Sequence, residues 1–295
     1  MQKRLLILGA FLCAALLAAF ALRKPPAPFH PWFAQFDSYP LVIAHADDTG
    51  QGLWPGNTMV FLEGVADTGV DVLEMDTHMT HDGHIVLLHD DRVDRTTNGQ
   101  GTITEMTIEE VKALEVAGDW SPDEGITFPY RGSHLQVPTL EEVFQRFPEY
   151  PMVIEIKQET PSMANAMCNL IREYGMGERV LIPSFSDKAI KEFREVCPEV
   201  ATAASSDEVR NFVIANYLYS APLLSPAYVA FQVPVKSGGI PVVIPHFVRN
   251  ARARNLQVHV WTINDEAEMK ELINMGVDGI MTDRPDMLLA ILGRS

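Results

Sequence analysis

Val72-Leu73-Glu74-Met75-Asp76 is the stretch on which the reading of this chain turns. It begins apolar, follows Gly69 and Asp71, and gives way to polar residues, the pattern of a short buried β-strand. Residues i and i+2 of a strand face the same side, so Glu74 and Asp76 point together into an interior. Two carboxylates that close do not both stay charged without compensation. A divalent cation is the usual remedy, because hard cations take oxygen ligands. A lone Glu-x-Asp is more often a strand end whose acids reach water; here other chemistry-bearing strand ends accompany it.

Working outward, nine strand-like runs alternate with helix-like segments: Leu41–Ala44, Val72–Asp76, Ile85–Leu88, Met152–Ile156, Val180–Pro183, Glu199–Ala203, Tyr228–Phe231, Val258–Thr262 and Gly279–Thr282. Glu199–Ala203 and Tyr228–Phe231 carry the weakest patterns. The helix-like segments are Met59–Thr68, Thr139–Phe147, Ser162–Tyr174, Asp187–Val196, Ser206–Tyr217, Pro245–Asn255 and Glu266–Met275. Such alternation predicts a parallel sheet. The span 40–295 has about the length of a (β/α)8 TIM barrel. An open doubly wound sheet is the alternative, but no Gly-x-Gly-x-x-Gly follows the first strand. Residues 91–138 lack this alternation and are expected to form an inserted cap over one barrel mouth, with Ile108–Leu114 helical.

In a barrel the C-terminal strand ends line the active mouth. His45 closes the first run, Glu74 and Asp76 the second, and His89 and Asp90 the third. Glu155 and Lys157, then Trp261, then Asp283, end later ones. Glu74, Asp76 and Glu155 are candidate ligands for Mg²⁺ or Ca²⁺. Lys157 shares a face with Glu155 and suits a phosphate-bearing substrate. His45 and His89 supply a general acid and base, in either order. Trp261 is expected to pack against substrate carbons. His78, His81 and His84 are assigned to a solvated turn, and His246 and His259 to structure. For His89 to reach Asp76, their strands are expected to run parallel. Thr77–His84, which extends to roughly 26 Å, would then cross back irregularly.

The 39 acids against 23 bases, net −16, exclude a nucleic-acid partner and suit cation binding. Cys168 and Cys197 form no metal spacing, and the sequence leaves open whether they pair. Lys3 and Arg4 precede the apolar run Leu5–Leu22, followed by Arg23, Lys24 and Pro25-Pro26-Ala27-Pro28. Eighteen helical residues span roughly 27 Å, near a bilayer core. Residues 1–24 are therefore expected to be an uncleaved anchor or a cleaved signal peptide, and 25–39 a proline-rich linker. Either way the barrel belongs at or across a membrane, anchored there or secreted or periplasmic.

The chain resembles the glycerophosphodiester phosphodiesterase family from Leu41 to Leu292. The segments that carry the likeness include Ile43-Ala44-His45, Pro55-Gly56-Asn57-Thr58, Leu73-Glu74-Met75-Asp76, Leu88-His89-Asp90, Ile154-Glu155-Ile156-Lys157, Val260-Trp261-Thr262-Ile263-Asn264 and Gly279-Ile280-Met281-Thr282-Asp283. The resemblance implies a TIM barrel with an inserted cap and hydrolysis of glycerophosphodiesters to glycerol phosphate and an alcohol. It implies metal ligands at Glu74, Asp76 and Glu155 and catalytic histidines at His45 and His89. Two family positions differ: His-Arg-Gly is His45-Ala46-Asp47 here, and Pro-Glu-Asn-Thr is Pro55-Gly56-Asn57-Thr58. Loss of both partners of an ion pair leaves no orphan charge. The phosphate hold then falls to Lys157, with Arg92 or Arg95 as helpers, and Asp47 and Asp48 add negative charge near the metal. A lysophospholipase D acting on lysolipids, with Trp120, Phe128 and Tyr130 exposed on the cap, is one alternative. A weakened phosphate- or metal-binding homologue is another.

Overall fold

The computed structural model describes residues 23–294. The run Leu5–Leu22 lies outside the described residues, among which no helix is long and apolar enough to cross a membrane. The strands are β1 (Leu41–Ala44), β2 (Val72–Met79), β3 (Ile85–Leu87), β4 (Met152–Ile156), β5 (Val180–Ile182), β6 (Ala201–Thr202), β7 (Ala230–Pro234), β8 (Lys236–Ser237), β9 (Ile240–Pro241), β10 (Gln257–Trp261) and β11 (Gly279–Thr282). The helices are α1 (Met59–Asp67), α2 (Ile108–Lys112), α3 (Leu140–Arg146), α4 (Ala164–Glu173), α5 (Asp187–Val196), α6 (Ser206–Tyr217), α7 (Pro245–Ala253), α8 (Glu266–Met275) and α9 (Pro285–Ile291).

Eight strands pair in parallel in the order β6-β5-β4-β2-β1-β11-β10-β7. A parallel bridge between Ala203 and Ala230 brings the two ends together, making a nearly closed (β/α)8 barrel. The two weakest sequence patterns are thus genuine barrel strands, and the surplus ninth run is β3. α9 had no counterpart in the sequence reading.

Alternation along each strand sorts the side chains. Leu41, Ile43, Val72, Val153, Leu181, Ala201 and Ala230 pack with one another inside the barrel. Val42, Ala44, Leu73, Met75, Met152 and Ile154 pack outward under the helices. A side chain at Gly279 would meet the His259 ring at 2.8 Å and Ile43 at 3.1 Å, which keeps that inward position bare. Helix starts follow their caps: Thr139 with Glu142 and Ser205 with Glu208 form capping boxes opening α3 and α6.

Residues 25–39 are not a free linker. A 3-10 turn, Pro31–Gln35, places Trp32, fully buried, and Phe33 against Leu41, Ile43 and Val72. Burial of the indole ties the segment beneath the barrel; proline content alone did not reveal this. Cys168 and Cys197 form a disulfide joining α4 to the residue that ends α5.

Candidate active site

β2 and β3 are antiparallel, pairing Thr77 with Leu87 and Met79 with Ile85. This corrects the expected parallel crossover. β2 runs three residues past Asp76, turns at Thr80–His84 with Gly83 at positive φ, and returns as β3. The Leu88 N–H then donates to the Asp76 carbonyl at 3.0 Å, so His89 comes back to the level of Asp76. An ordinary hairpin, long enough to overshoot, does what the irregular crossover was invoked to do. It also buries His78 within β2, where its Nε2 lies 3.2 Å from the His89 carbonyl; it is not in a solvated turn.

Strand register sets the rest of the rim. Asp76 pairs with Glu155 across β2 and β4, and Ala44 with Thr282 across β1 and β11. One cavity of about 500 Å³ is lined by His45, Glu74, Asp76, His89, Glu155 and Lys157, with Trp261 and Phe185 among its walls. Carboxylate oxygens of Glu74, Asp76 and Glu155, all buried, lie within 4.8 Å of one another. Burial first, and the charge of Asp76 second, raise the Glu74 carboxyl well above the usual range. Glu155 is also raised, chiefly by burial. Lys157 Nζ sits 3.1 Å from Asp76 Oδ1 and 2.9 Å from Glu155 Oε2. Burial alone would discharge this lysine, but the two carboxylates hold it protonated. The three acids form an all-oxygen donor set of the kind that fits a hard divalent cation.

Each histidine has a carboxylate behind it. His45 Nδ1 lies 2.6 Å from Asp283 Oδ1. Burial works against its charged form, but the Asp283 hydrogen bond and the charges of Glu74, Asp283 and Asp76 push it up to about 9. Asn264 Nδ2 donates to Asp283 Oδ2, and the Asp283 N–H donates to Asn264 Oδ1. His89 Nδ1 lies 3.0 Å from Asp90 Oδ1. Asn57 grips Asp76 from two sides: Nδ2 donates to Asp76 Oδ2, and Oδ1 accepts from the Asp76 N–H, both at 2.9 Å. Asp283, Asn264 and Asn57 were not assigned positioning roles from sequence. Their signal was present, since all three sit in segments that carry the family likeness.

Other expectations do not meet at this cavity. Arg95 is not among its lining residues; its Nε donates to Asp90 at 2.7 Å and its Nη atoms to Asp48 at 2.7 and 2.8 Å. Arg92 pairs with Asp94. The Asp47 carboxylate accepts from Thr49, Gln51 and Gly52 backbone N–H groups and so builds its own loop. Asp47 and Asp48 are thus consumed locally. At the two departures from the family pattern, a Cβ on Gly56 would lie 2.2 Å from the Ala46 carbonyl group, so this backbone excludes any side chain at 56. The cap, 91–138, contributes no residue to the cavity lining; Val93, Ile103, Val111 and Trp120 form a small core with Val86 and Leu88 of the β3 segment. Trp120 is buried there, and the Arg131 guanidinium covers the Phe128 ring at 3.9 Å.

A model described as the glycerophosphoryl diester phosphodiesterase family matches residues 50–287. The chain is 30% identical over 260 residues to a glycerophosphodiester phosphodiesterase from Caldanaerobacter subterraneus subsp. tengcongensis, covering 85% of this chain and 97% of that one. It is 24% identical over 299 residues to the lysophospholipase D GDPD1 of Rattus norvegicus, covering 94% and 93%. Among solved structures, an Oleispira antarctica phosphodiesterase in complex with the product sn-glycerol-3-phosphate superposes with a TM-score of 0.68 at 24% identity, over 86% of this chain and 97% of that one. A glycerophosphoryl diester phosphodiesterase domain from Mycobacterium tuberculosis superposes with a TM-score of 0.75 at 17% identity, over 88% and 100%.

Proposed function

The chain belongs to the glycerophosphoryl diester phosphodiesterase family and is an enzyme of that class, and we propose that it hydrolyses small glycerophosphodiesters to glycerol phosphate and an alcohol at the cavity built on β1, β2 and β4. The observation that carries the reading is the convergence of Glu74, Asp76 and Glu155 with His45 and His89 in one cavity. A divalent cation, Mg²⁺ or Ca²⁺, held by the three carboxylates would supply positive charge to the phosphoryl oxygens and acidify a nearby hydroxyl. One histidine removes the proton of the attacking hydroxyl, from the substrate glycerol or water, and the other protonates the leaving alcohol. Asp283 fixes the tautomer and direction of His45, as Asp90 does for His89. The Lys157 ammonium, already held charged, neutralises charge that builds on phosphorus-bound oxygen.

A second reading, lysophospholipase D activity, has its own support. Away from the charged groups the cavity is walled by Phe185, Val209, Val233, Val242 and Trp261, which suits an acyl chain. The Cys168–Cys197 disulfide supports an oxidising compartment, in keeping with an N-terminal segment that anchors or exports the barrel. Initial rates on glycerophosphocholine and lysophosphatidylcholine, with and without chelator, test both readings. Chelator-sensitive turnover of the first supports the main reading, turnover of the second alone supports the alternative, and no turnover of either sets both aside.

A further inference from the structure

From Val209 to Asn264 the chain has no Asp or Glu, in a protein with 39 of them and a net charge of −16. The same stretch carries Arg210, Lys236, Arg249, Arg252 and Arg254. Arg254 is buried on backbone carbonyls, but Lys236, Arg249 and Arg252 are exposed. This acid-free sector also holds six exposed large apolar side chains: Ile214, Tyr217, Leu218, Tyr219, Leu223 and Ile240. Leu218 and Tyr219 are 70% and 79% exposed.

These side chains are organised. Ile214, Tyr217 and Leu218 stand at i, i+3 and i+4, one face of α6. The opposite face of α6 already buries Phe212 and Ala215. A helix apolar on two faces is suited to burial on both. The Tyr217 hydroxyl donates to the Pro241 carbonyl at 2.9 Å, joining the β8–β9 hairpin and its Ile240 to the stripe. The Tyr219 ring lies 5.0 Å from that of His246, near the start of α7. Ser237 of the hairpin, Val242 just after it, and the first turns of α6, Ser206 and Val209, line the active cavity.

We propose that this face, made of the outer side of α6, the β8–β9 hairpin and the start of α7, docks on an anionic lipid bilayer. Exposed tyrosines and aliphatic side chains with Lys236 on the adjoining hairpin and Arg249 beside His246 are the composition of an interfacial binding surface. The chain's own course supports a bilayer as the occupant. The apolar run Leu5–Leu22 ends just before Arg23 and Lys24, and the Lys24 N–H donates to the Pro222 carbonyl at 3.0 Å. Lys24, two positions after that run, therefore lies on this sector, beside Leu223. A second copy of the chain fits less well: Arg210 and Arg252 already pair with Asp207 and Asp278, but Lys236 and Arg249 have no acidic partner among the described ion pairs, so two such faces, each with a net excess of cations, repel one another.

Hydrogen exchange of the full chain tests this, read without substrate and so independently of the phosphodiesterase reading. Backbone exchange at 214–223 and 236–241 is expected to slow severalfold on vesicles of equal parts phosphatidylcholine and phosphatidylglycerol. It is expected to slow less on pure phosphatidylcholine, and high salt should reverse the difference. The double variant Leu218→Glu/Tyr219→Glu should lose this protection while keeping its melting temperature and its turnover of soluble glycerophosphocholine. Three results overturn the proposal: no protection at this face on anionic vesicles, protection that survives in the double variant, or protection that appears without vesicles as protein concentration rises, the mark of self-association.

Discussion

The two arcs of the barrel rim differ sharply. β4, β2 and β1 are neighbours in the sheet, and they and the β3 hairpin carry every ionisable group that lines the cavity: Glu155, Lys157, Glu74, Asp76, His89 and His45. The arc from β5 through β6 to β7 contributes Pro183, Ser184, Phe185, Ala204, Gln232 and Val233. Buried charges must sit close enough to compensate one another, so they accumulate on adjacent strands. The other arc is then free to meet the uncharged part of a substrate. Its outer side continues into the stretch from Val209 to Asn264, which carries no acid.

The largest effect that bears on this contrast lies on the charged arc. Glu74→Gln, or chelation of the wild-type chain, should cut kcat/KM by more than about 10³-fold in initial-rate assays. Chelator-resistant turnover would mean that the three acids only serve the fold. Next, His45→Ala and His89→Ala should each lower kcat by about 10²–10⁴-fold. Calorimetry should find cation affinity unchanged in both, which separates proton transfer from cation holding. On the bare arc, Phe185, which packs edgewise on Trp261 at 5.7 Å between ring centres, should matter only to apolar substrates. Phe185→Ala is expected to raise KM for lysophosphatidylcholine by roughly tenfold and to leave glycerophosphocholine nearly unchanged. An equal change for both would erase the division between the arcs. The smallest effect concerns stability. Gly56→Ala forces a Cβ against the Ala46 carbonyl and should destabilise the fold by roughly 1–3 kcal/mol in urea titrations.

The contrast also explains what the sequence disclosed. The charged arc was legible because its residues close strong apolar runs at fixed two-residue spacing, as in Glu74-x-Asp76 and Glu155-x-Lys157. The bare arc was faint because β6 is only Ala201–Thr202 and its rim residues belong to no charged motif. The hairpin was misjudged because strand direction was inferred from where His89 had to end, whereas the extra length of β2 supplies the same endpoint. Asp283 was visible at a strand end, but its bond to His45 spans 238 residues and exists only once β1 and β11 close side by side. Trp32 looked like part of a linker because nothing local marks a side chain that fills a barrel formed entirely downstream of it. The expectation that Trp120 is exposed on the cap failed for a related reason, since it is needed in the core beneath the cap.

Anomalous diffraction from crystals of the full chain grown with Mn²⁺, a scattering stand-in for Mg²⁺ or Ca²⁺, tests the central claim most directly. A single strong peak coordinated by Glu74, Asp76 and Glu155, on the side of the cavity that His45 and His89 face, is the predicted result. A peak elsewhere, or none in crystals of protein whose turnover depends on Mn²⁺, would contradict it.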